Sequence, residues 1–407
     1  MHICILHPGM DVKGGAENIV VWLAGALSRR GHAVSIIAER YAPELWPQEQ
    51  TGGLDVRLLP TPRLGNLFNS KQVRLWEYIR HLKKALAEFD AIVCQHFPSY
   101  YWATLARERS GGSYRVIWLC QEPMRKLHAK ATDPHLLNYR DFTPPGVDNA
   151  HLDEAALGRV KRSPSQHQRD LRHIEWDHAA AAKCDMIVSN SAFTAENVQK
   201  IFGVQPVVCH LGIPLPDETP YTRGGYAGVI TTLAVRKNAV NVIRAIDVLA
   251  RRGRRDIPLR IAGRGPDREN LERLAANLGI ADLVTFLGGI PDSDLAAFYR
   301  NARLIVYCPI DEPFGLVPLE SLACKTPVVV SNHGGPAEII EHGVTGLHAN
   351  PFDPGDIAAA IEALWGDDAR AQSMAEAGSR RVREYFSLEA FADRFDSILA
   401  APAETVR

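Results

Sequence analysis

A chain of 407 residues exceeds what one ordinary hydrophobic core holds and suits two α/β domains of roughly 200 residues each. Its 46 % apolar and 23 % charged residues are normal for a soluble globular protein. A net charge of -1 removes the case for a nucleic-acid binder, which carries a basic excess, and leaves a local basic patch open.

The opening Met1-His2-Ile3-Cys4-Ile5-Leu6-His7 lacks the basic start and long apolar centre of a signal peptide. No run approaches the ~18 apolar residues of a membrane span, so a soluble or peripheral protein is expected. Residues 2–6 read as a first strand and 8–15 as a loop holding Gly9, Gly14 and Gly15. Apolar residues recur at helical spacing over 16–30, Gly31-His32 ends that helix, and 33–38 is the second strand. Further buried strands are expected at 91–94, 116–119 and 186–189, the last after a helix around 171–183. The stretch 124–165 holds Pro134, Pro144, Pro145 and Pro164 among polar residues. It reads as a long excursion at the mouth of a binding cleft, with little regular sheet.

The seven cysteines, at 4, 94, 120, 184, 209, 308 and 324, form no C-x-x-C pair. Several lie in strand-like runs, which reads as reduced core thiols in the cytoplasm.

Residues 211–225, with Pro214, Pro216, Pro220, Gly224 and Gly225, make the best domain linker. The α/β rhythm then restarts. Strands are expected at 228–233, 259–262, 284–287, 304–307 and 327–330. Helices are expected at 239–252, 268–278, 292–301, 317–324 and, last, 388–399. Strands alternating with helices from end to end argue for parallel sheets covered by helices.

The densest chemistry lies in Pro309-Ile310-Asp311-Glu312-Pro313-Phe314-Gly315-Leu316-Val317-Pro318-Leu319-Glu320. A strand ends just before it and a helix begins within it. Ligands of open parallel sheets bind beyond the carboxyl ends of strands, so Glu312 is expected in a loop at the binding face. Gly315 allows close backbone approach, and the helix start offers N–H groups to a phosphate. Carboxylates at 312 and 320 suit the hydroxyl donors of a sugar and a ribose flanking a pyrophosphate. On spacing alone, acids decorating a helix N-terminus explain the pattern equally well. Lys237, with Arg236 beside it, follows another strand and is placed to neutralise a leaving diphosphate; taken singly it is also an ordinary solvated basic pair. Ser331-Asn332-His333-Gly334-Gly335-Pro336-Ala337-Glu338 and Gly263-Arg264-Gly265-Pro266 repeat the strand, Gly-rich turn and helix layout. Neither is a G-x-G-x-x-G fingerprint, so a nicotinamide or flavin dehydrogenase gains no support.

In this order the segments resemble glycosyltransferase family 4, the retaining enzymes of GT-B fold, over nearly the whole chain. The resemblance starts at Gly14-Gly15-Ala16-Glu17 and continues through Ser189-Asn190-Ser191-Ala192-Phe193-Thr194, Lys237-Asn238 and Phe286-Leu287-Gly288-Gly289-Ile290. Its most specific part is E-x7-E, Glu312 to Glu320, with Pro-Phe-Gly-Leu inside. Gly334-Gly335-Pro336-Ala337-Glu338 and Gly343-Val344-Thr345-Gly346-Leu347 complete it.

The resemblance implies two Rossmann-like domains facing a cleft: 1–212 on the acceptor side, a linker at 213–225, a nucleotide-sugar domain at 226–386, and a helix at 387–407 crossing back. It implies Glu312 on donor-sugar hydroxyls, Glu320 on the ribose, Lys237 on the diphosphate, and Phe314, Gly315 and Leu316 lining phosphate and sugar. Ile290 would border the base. Gly14 and Gly15 would approach the donor phosphates from the first domain. The donor is a substrate, and no cofactor or metal is implied. The family retains anomeric configuration, with same-face attack and a donor phosphate oxygen taking the acceptor proton.

Two positions depart from the family pattern. Thr232 stands where an Arg is usual, five residues before Lys237, and Thr cannot replace a cation; Arg236 is the substitute expected. In Cys120-Gln121-Glu122-Pro123-Met124-Arg125, Gln121 stands where some members carry His, and an amide cannot shuttle a proton. The Glu-Pro-x-Arg run resembles some mannosyltransferases and gives GDP-mannose a lead over UDP-linked sugars. Acceptor-side candidates are His96, Gln121, Glu122 and Arg125. His7 and His96, near strand ends, are equally readable as satisfied loop histidines.

Asp292-Ser293-Asp294 spells D-x-D but starts a helix, where Asp and Ser are ordinary caps. Residues 71–86 read as an amphipathic helix with Lys71, Arg74, Arg80, Lys83 and Lys84 against Glu77. That face is either solvated or a contact with an anionic membrane surface. The function expected is hexosyl transfer from a GDP- or UDP-sugar to a glycan or lipid-linked acceptor in cell-surface polysaccharide synthesis, in the cytoplasm or at the inner membrane face. The alternatives are an inactive sugar-nucleotide-binding subunit of a glycan-assembly complex and an epimerase or phosphorylase of the same architecture.

Overall fold

The structure is a computed structural model. It describes residues 1–46, 51–60, 62, 71–152 and 164–401, so parts of the 124–165 and 387–407 segments lie outside the described residues. The chain divides into two compact units. Unit 1 is Met1–Thr132, Arg162–Pro214 and Leu388–Arg407; unit 2 is Asp133–Lys161 and Leu215–Ser387.

In unit 1 the described strands are β1 (His2–Met10), β2 (Ala33–Tyr41), β3 (Asp55–Leu58), β4 (Ala91–Cys94), β5 (Arg115–Cys120), β6 (Met186–Ser189) and β7 (Val207–Val208). They pair in the order β3-β2-β1-β4-β5-β6-β7, all parallel. The order reverses direction between β1 and β4. Ile3, Cys4, Ile5 and Leu6 are all fully buried, as expected of a parallel strand covered on both faces. The helix Gly15–Arg29 buries Ile19, Val20, Leu23, Ala24 and Leu27 at helical spacing. The loop expected at 8–15 is shorter, because Gly9 and Met10 still pair with Arg40 and Tyr41 of β2.

The last helix, Leu388–Ala400, packs on Gly15–Arg29 through buried Phe391, Phe395 and Leu399. Charge fixes its register: Arg30 reaches Glu389 and Asp393, each at 2.7 Å, and His32 lies 2.8 Å from Asp396.

Unit 2 holds β8 (Ala227–Ile230), β9 (Leu259–Ala262), β10 (Val284–Gly288), β11 (Leu304–Tyr307), β12 (Val328–Ser331) and β13 (Leu347–Ala349). Their order is β10-β9-β8-β11-β12-β13, again all parallel, reversing between β8 and β11. Strand β8 stops at Ile230, short of the expected 233. Beyond it, Thr231 and Leu233 donate their N–H groups to Ala262 and Arg264 carbonyls at 3.0 and 2.9 Å. Gly263 and Gly265 permit this, since a Cβ at Gly265 would stand 2.2 Å from the Leu233 carbonyl oxygen. The expected 343–347 turn runs directly into β13.

One segment corrects the single-boundary reading of 1–212. Residues Asp133–Lys161 group with unit 2. Leu136, Tyr139 and Leu152 share a buried cluster with Ile310 and Phe352. Asn149 donates to the Phe352 carbonyl and accepts from Asn241, at 2.8 and 2.9 Å. The apolar residues that dock it are irregularly spaced between prolines, so no periodic pattern announced the attachment.

Candidate active site

In unit 2 the switch point lies between β8 and β11, where diverging connections leave a crevice beyond the strand ends. The segment after β8 forms a short 3-10 turn, Val235–Lys237, and then Asn238 in the left-handed region at φ 60. Asn238 is fully buried and donates to the carbonyls of Cys308 and Pro351 at 2.9 and 2.7 Å. The Ile310 N–H also bonds the Arg236 carbonyl at 2.9 Å. The Lys237 and Glu312 loops are therefore laced together through backbone.

Their side chains meet. Lys237 Nζ lies 2.7 Å from Glu312 Oε2, and Arg236 Nη1 lies 3.1 Å from the same oxygen. Glu312 is buried. Burial alone pushes its carboxyl up, but the Lys237 and Arg236 cations outweigh that and hold it below the usual glutamate range. Tyr307 adds a hydrogen bond to the carboxylate, while burial and the Glu312 charge push the Tyr307 phenol well up. Both cations thus converge on one oxygen of the Glu312 carboxylate.

Glycines close the back of this loop. Gly315, at φ 96, starts the helix Leu316–Ala323. The Gly335 N–H donates to the Glu312 carbonyl at 2.8 Å, and a Cβ on Gly335 would come within 2.3 Å of Phe314 Cα. Phe314 buries its ring near Phe386, so its side chain is a packing group. Glu320 sits on the same helix and accepts the Tyr299 hydroxyl. Burial raises the Glu320 carboxyl. Leu316 begins the helix, and Ile290 follows β10, half-buried. Asp292-Ser293-Asp294 occupies the first turn of the helix Asp292–Asn301, with Pro291 as its cap residue.

In unit 1 the polar residues gather just past β4 and at and beyond the end of β5, with His7 inside β1, paired with Ala38, rather than in a loop at a strand end. His7 and His96 meet edge to face, with ring centroids 5.3 Å apart. Burial, aided by His96, lowers His7 to about 3, and burial lowers His96 as well. Gln121 donates its side-chain amide to Gln95 Oε1 at 2.7 Å. Glu122 and Arg125 form an ion pair with each other. Gly14 caps the helix Gly15–Arg29, and the Glu17 carboxylate folds back against it.

The sequence models agree with this architecture. The glycosyltransferase family 4 profile matches residues 13–215, and the glycosyl transferases group 1 profile matches 218–381. The chain belongs to glycosyltransferase family 4. Human alpha-1,3/1,6-mannosyltransferase ALG2 is 27 % identical, over 96 % of this chain and 94 % of the relative. D-inositol 3-phosphate glycosyltransferase of Geodermatophilus obscurus is 28 % identical, over 98 % of this chain and 87 % of the relative. The GT-B fold is shared with Anabaena Alr3699/HepE in complex with UDP and glucose, at TM-score 0.74 and 16 % identity, covering 98 % of this chain and 100 % of that one.

Within this family-4 frame, the structure brings Arg236, Lys237 and Glu312 together. Thr232, at the family's usual Arg position, is exposed, and Arg236 contacts the carboxylate instead. Sequence reasoning missed Asn238, Tyr299 and Tyr307. Each lies in or beside an apolar run and reads as core; only Asn238, in the Lys237-Asn238 pair shared with the family, carries a signal. It also missed Asp311, whose carboxylate accepts the Leu136 N–H at 2.8 Å across 175 residues of sequence.

Proposed function

We propose that this family-4 protein is a retaining hexosyltransferase, moving a hexose, with mannose the leading sugar, from a nucleotide-sugar donor to a glycan or lipid-linked acceptor. The observation that carries this reading is the buried Glu312 carboxylate bearing Lys237 and Arg236 at the switch point of unit 2. A departing nucleoside diphosphate gains negative charge in the transition state, and preorganised cations stabilise it without reorganising. Lys237 and Arg236 have that role, Glu312 holds donor-sugar hydroxyls, and Glu320 holds the ribose. The helix start at Gly315-Leu316 supplies N–H groups. Because two side-chain cations supply the charge, the transfer step needs no divalent ion, and transfer should persist in excess chelator.

The mannosyltransferase activity of the human relative supports mannose, and the UDP-bound HepE structure supports a nucleotide donor. Acceptor contacts are assigned to unit 1, from His96, Gln121, Glu122 and Arg125. The setting is cell-surface polysaccharide synthesis in the cytoplasm, at the inner membrane face. The helix Lys71–Ala85 supports that setting, with Arg80 over the exposed Trp76 ring and Lys84 exposed further along the helix. No helix among the described residues is long and apolar enough to cross a membrane.

The test is thermal unfolding with GDP, UDP, ADP and dTDP in turn, followed by a transfer assay with the matching sugar. A midpoint raised by one base names the donor class. Binding without turnover favours the inactive-subunit reading. No shift with any of the four sinks the donor-site assignment.

A further inference from the structure

Three side chains beside the Glu312 loop are not used by the proposed chemistry. His135 lies in the short helix Pro134–Leu137, Asp311 immediately precedes Glu312, and His333 follows β12. One ligand-capable atom from each lies within 4.8 Å of the others. His135 Nδ1 is 2.6 Å from Asp311 Oδ1, and His333 Nε2 is 4.0 Å from the same oxygen. The two imidazoles stack with centroids 4.0 Å apart. Asp311 is fully buried and sits at φ 50, a left-handed backbone that a non-glycine residue adopts at a cost.

The surroundings orient each donor atom. Asp311 Oδ2 accepts the Leu136 N–H at 2.8 Å, and Oδ1 faces the imidazoles while also accepting a long 3.4 Å bond from the His135 N–H. His333 Nδ1 lies 3.3 Å from Asn332 Oδ1, which makes Nδ1 the protonated nitrogen. The lone pair is then on Nε2, which accepts a long 3.3 Å bond from the Asp311 N–H. A partner on the far ring nitrogen, fixing the tautomer, is the usual support of a metal-bound histidine.

We propose that His135, Asp311 and His333 form a binding site for a divalent transition-metal ion of the zinc class, separate from the transfer step. Two imidazoles and a carboxylate are a donor set that zinc takes, and three protein ligands leave a fourth tetrahedral position for water. Ligands about 2 Å from a tetrahedral ion stand about 3.3 Å apart, so the 4.0 Å His333–Asp311 separation must close and the 2.6 Å His135–Asp311 contact must open. On binding, the His135 proton moves from Nδ1 to Nε2, and the ion replaces both the His135–Asp311 hydrogen bond and the long Asp311 N–H bond to His333 Nε2. The ion would tie the 134–137 helix to the loop that bears Glu312.

The test uses the full-length protein, stripped of metal and titrated with Co²⁺ and then Zn²⁺. The expected result is intense visible absorption with a single equivalent of Co²⁺, bleached by Zn²⁺, and a Zn²⁺-dependent rise in unfolding midpoint. His135→Ala and His333→Ala should each weaken binding at least 10-fold. Asn332→Ala keeps all three ligands and should weaken it about 10-fold through the tautomer. The absence of both wild-type signals, or signals unchanged in all three variants, overturns the site and leaves a hydrogen-bonded clip. Nucleotide binding, measured on the same samples, is read independently, so failure of the donor-site reading does not touch this test.

Discussion

Lys237 and Glu312 lie 75 residues apart in sequence and 2.7 Å apart in space. Each follows a different strand, and the two strands flank the point where the sheet order reverses. Removing the cation leaves a buried carboxylate with Arg236 still beside it. Lys237→Ala is expected to lower turnover by about 10²–10³-fold. Steady-state kinetics on folded variant protein checks this, and near-normal turnover would remove Lys237 from the chemistry.

Glu312→Gln keeps the shape and removes the charge. The Glu312 charge that faces Lys237 and Arg236 is then gone, so affinity for a nucleoside diphosphate should hold or rise. Turnover should nevertheless fall by about 10²-fold or more, because the hydroxyl-binding carboxylate is gone. Calorimetric binding and a transfer assay separate the two effects. A parallel loss of both would mean that Glu312 is structural.

The Gly334-Gly335 turn supports the loop from behind. In Gly335→Ala the new Cβ meets backbone at Phe314, which cannot rotate away. A destabilisation of about 1–3 kcal/mol is expected, measured by denaturant unfolding. Gly366→Ala, where a Cβ meets nothing within 4 Å, is the control. Equal stabilities in the two variants would contradict the packing described.

His7 gives unit 1 a pH dependence. Burial lowers it to about 3 in the folded chain, against an ordinary 6.5. Between those values the unfolded chain binds the extra proton, so stability falls as pH drops from about 6.5 toward about 3 and is insensitive to His7 above that window. The slope from this one group is at most about 1.4 kcal/mol per pH unit. His7→Gln should flatten it, and an unchanged slope in unfolding titrations would reject the assignment.

Much of this was legible in the sequence. Buried parallel strands appear as short apolar runs, and helices as 3.6-residue periodicity, so β4, β6, β9, β11 and the helix Asp292–Asn301 were located at their ends. The strands β3, β7 and β13 were not, being short or edge pieces with weak apolar runs. Glu312, Lys237 and Arg236 were legible because loops after parallel strands face the ligand side whatever the rest of the chain does.

The chain by itself determined the α/β class, the family, and which loops carry the charged groups, because these follow from local periodicity and ordered short motifs. Only tertiary structure decided which charges touch. It set Arg236 on Glu312 where Thr232 offers no cation, bonded Tyr299 to Glu320, and joined His135 to Asp311 through a segment that belongs to the other unit's stretch of sequence. Such contacts span tens to hundreds of residues and depend on strand order and backbone lacing, and local sequence pattern carries no record of either.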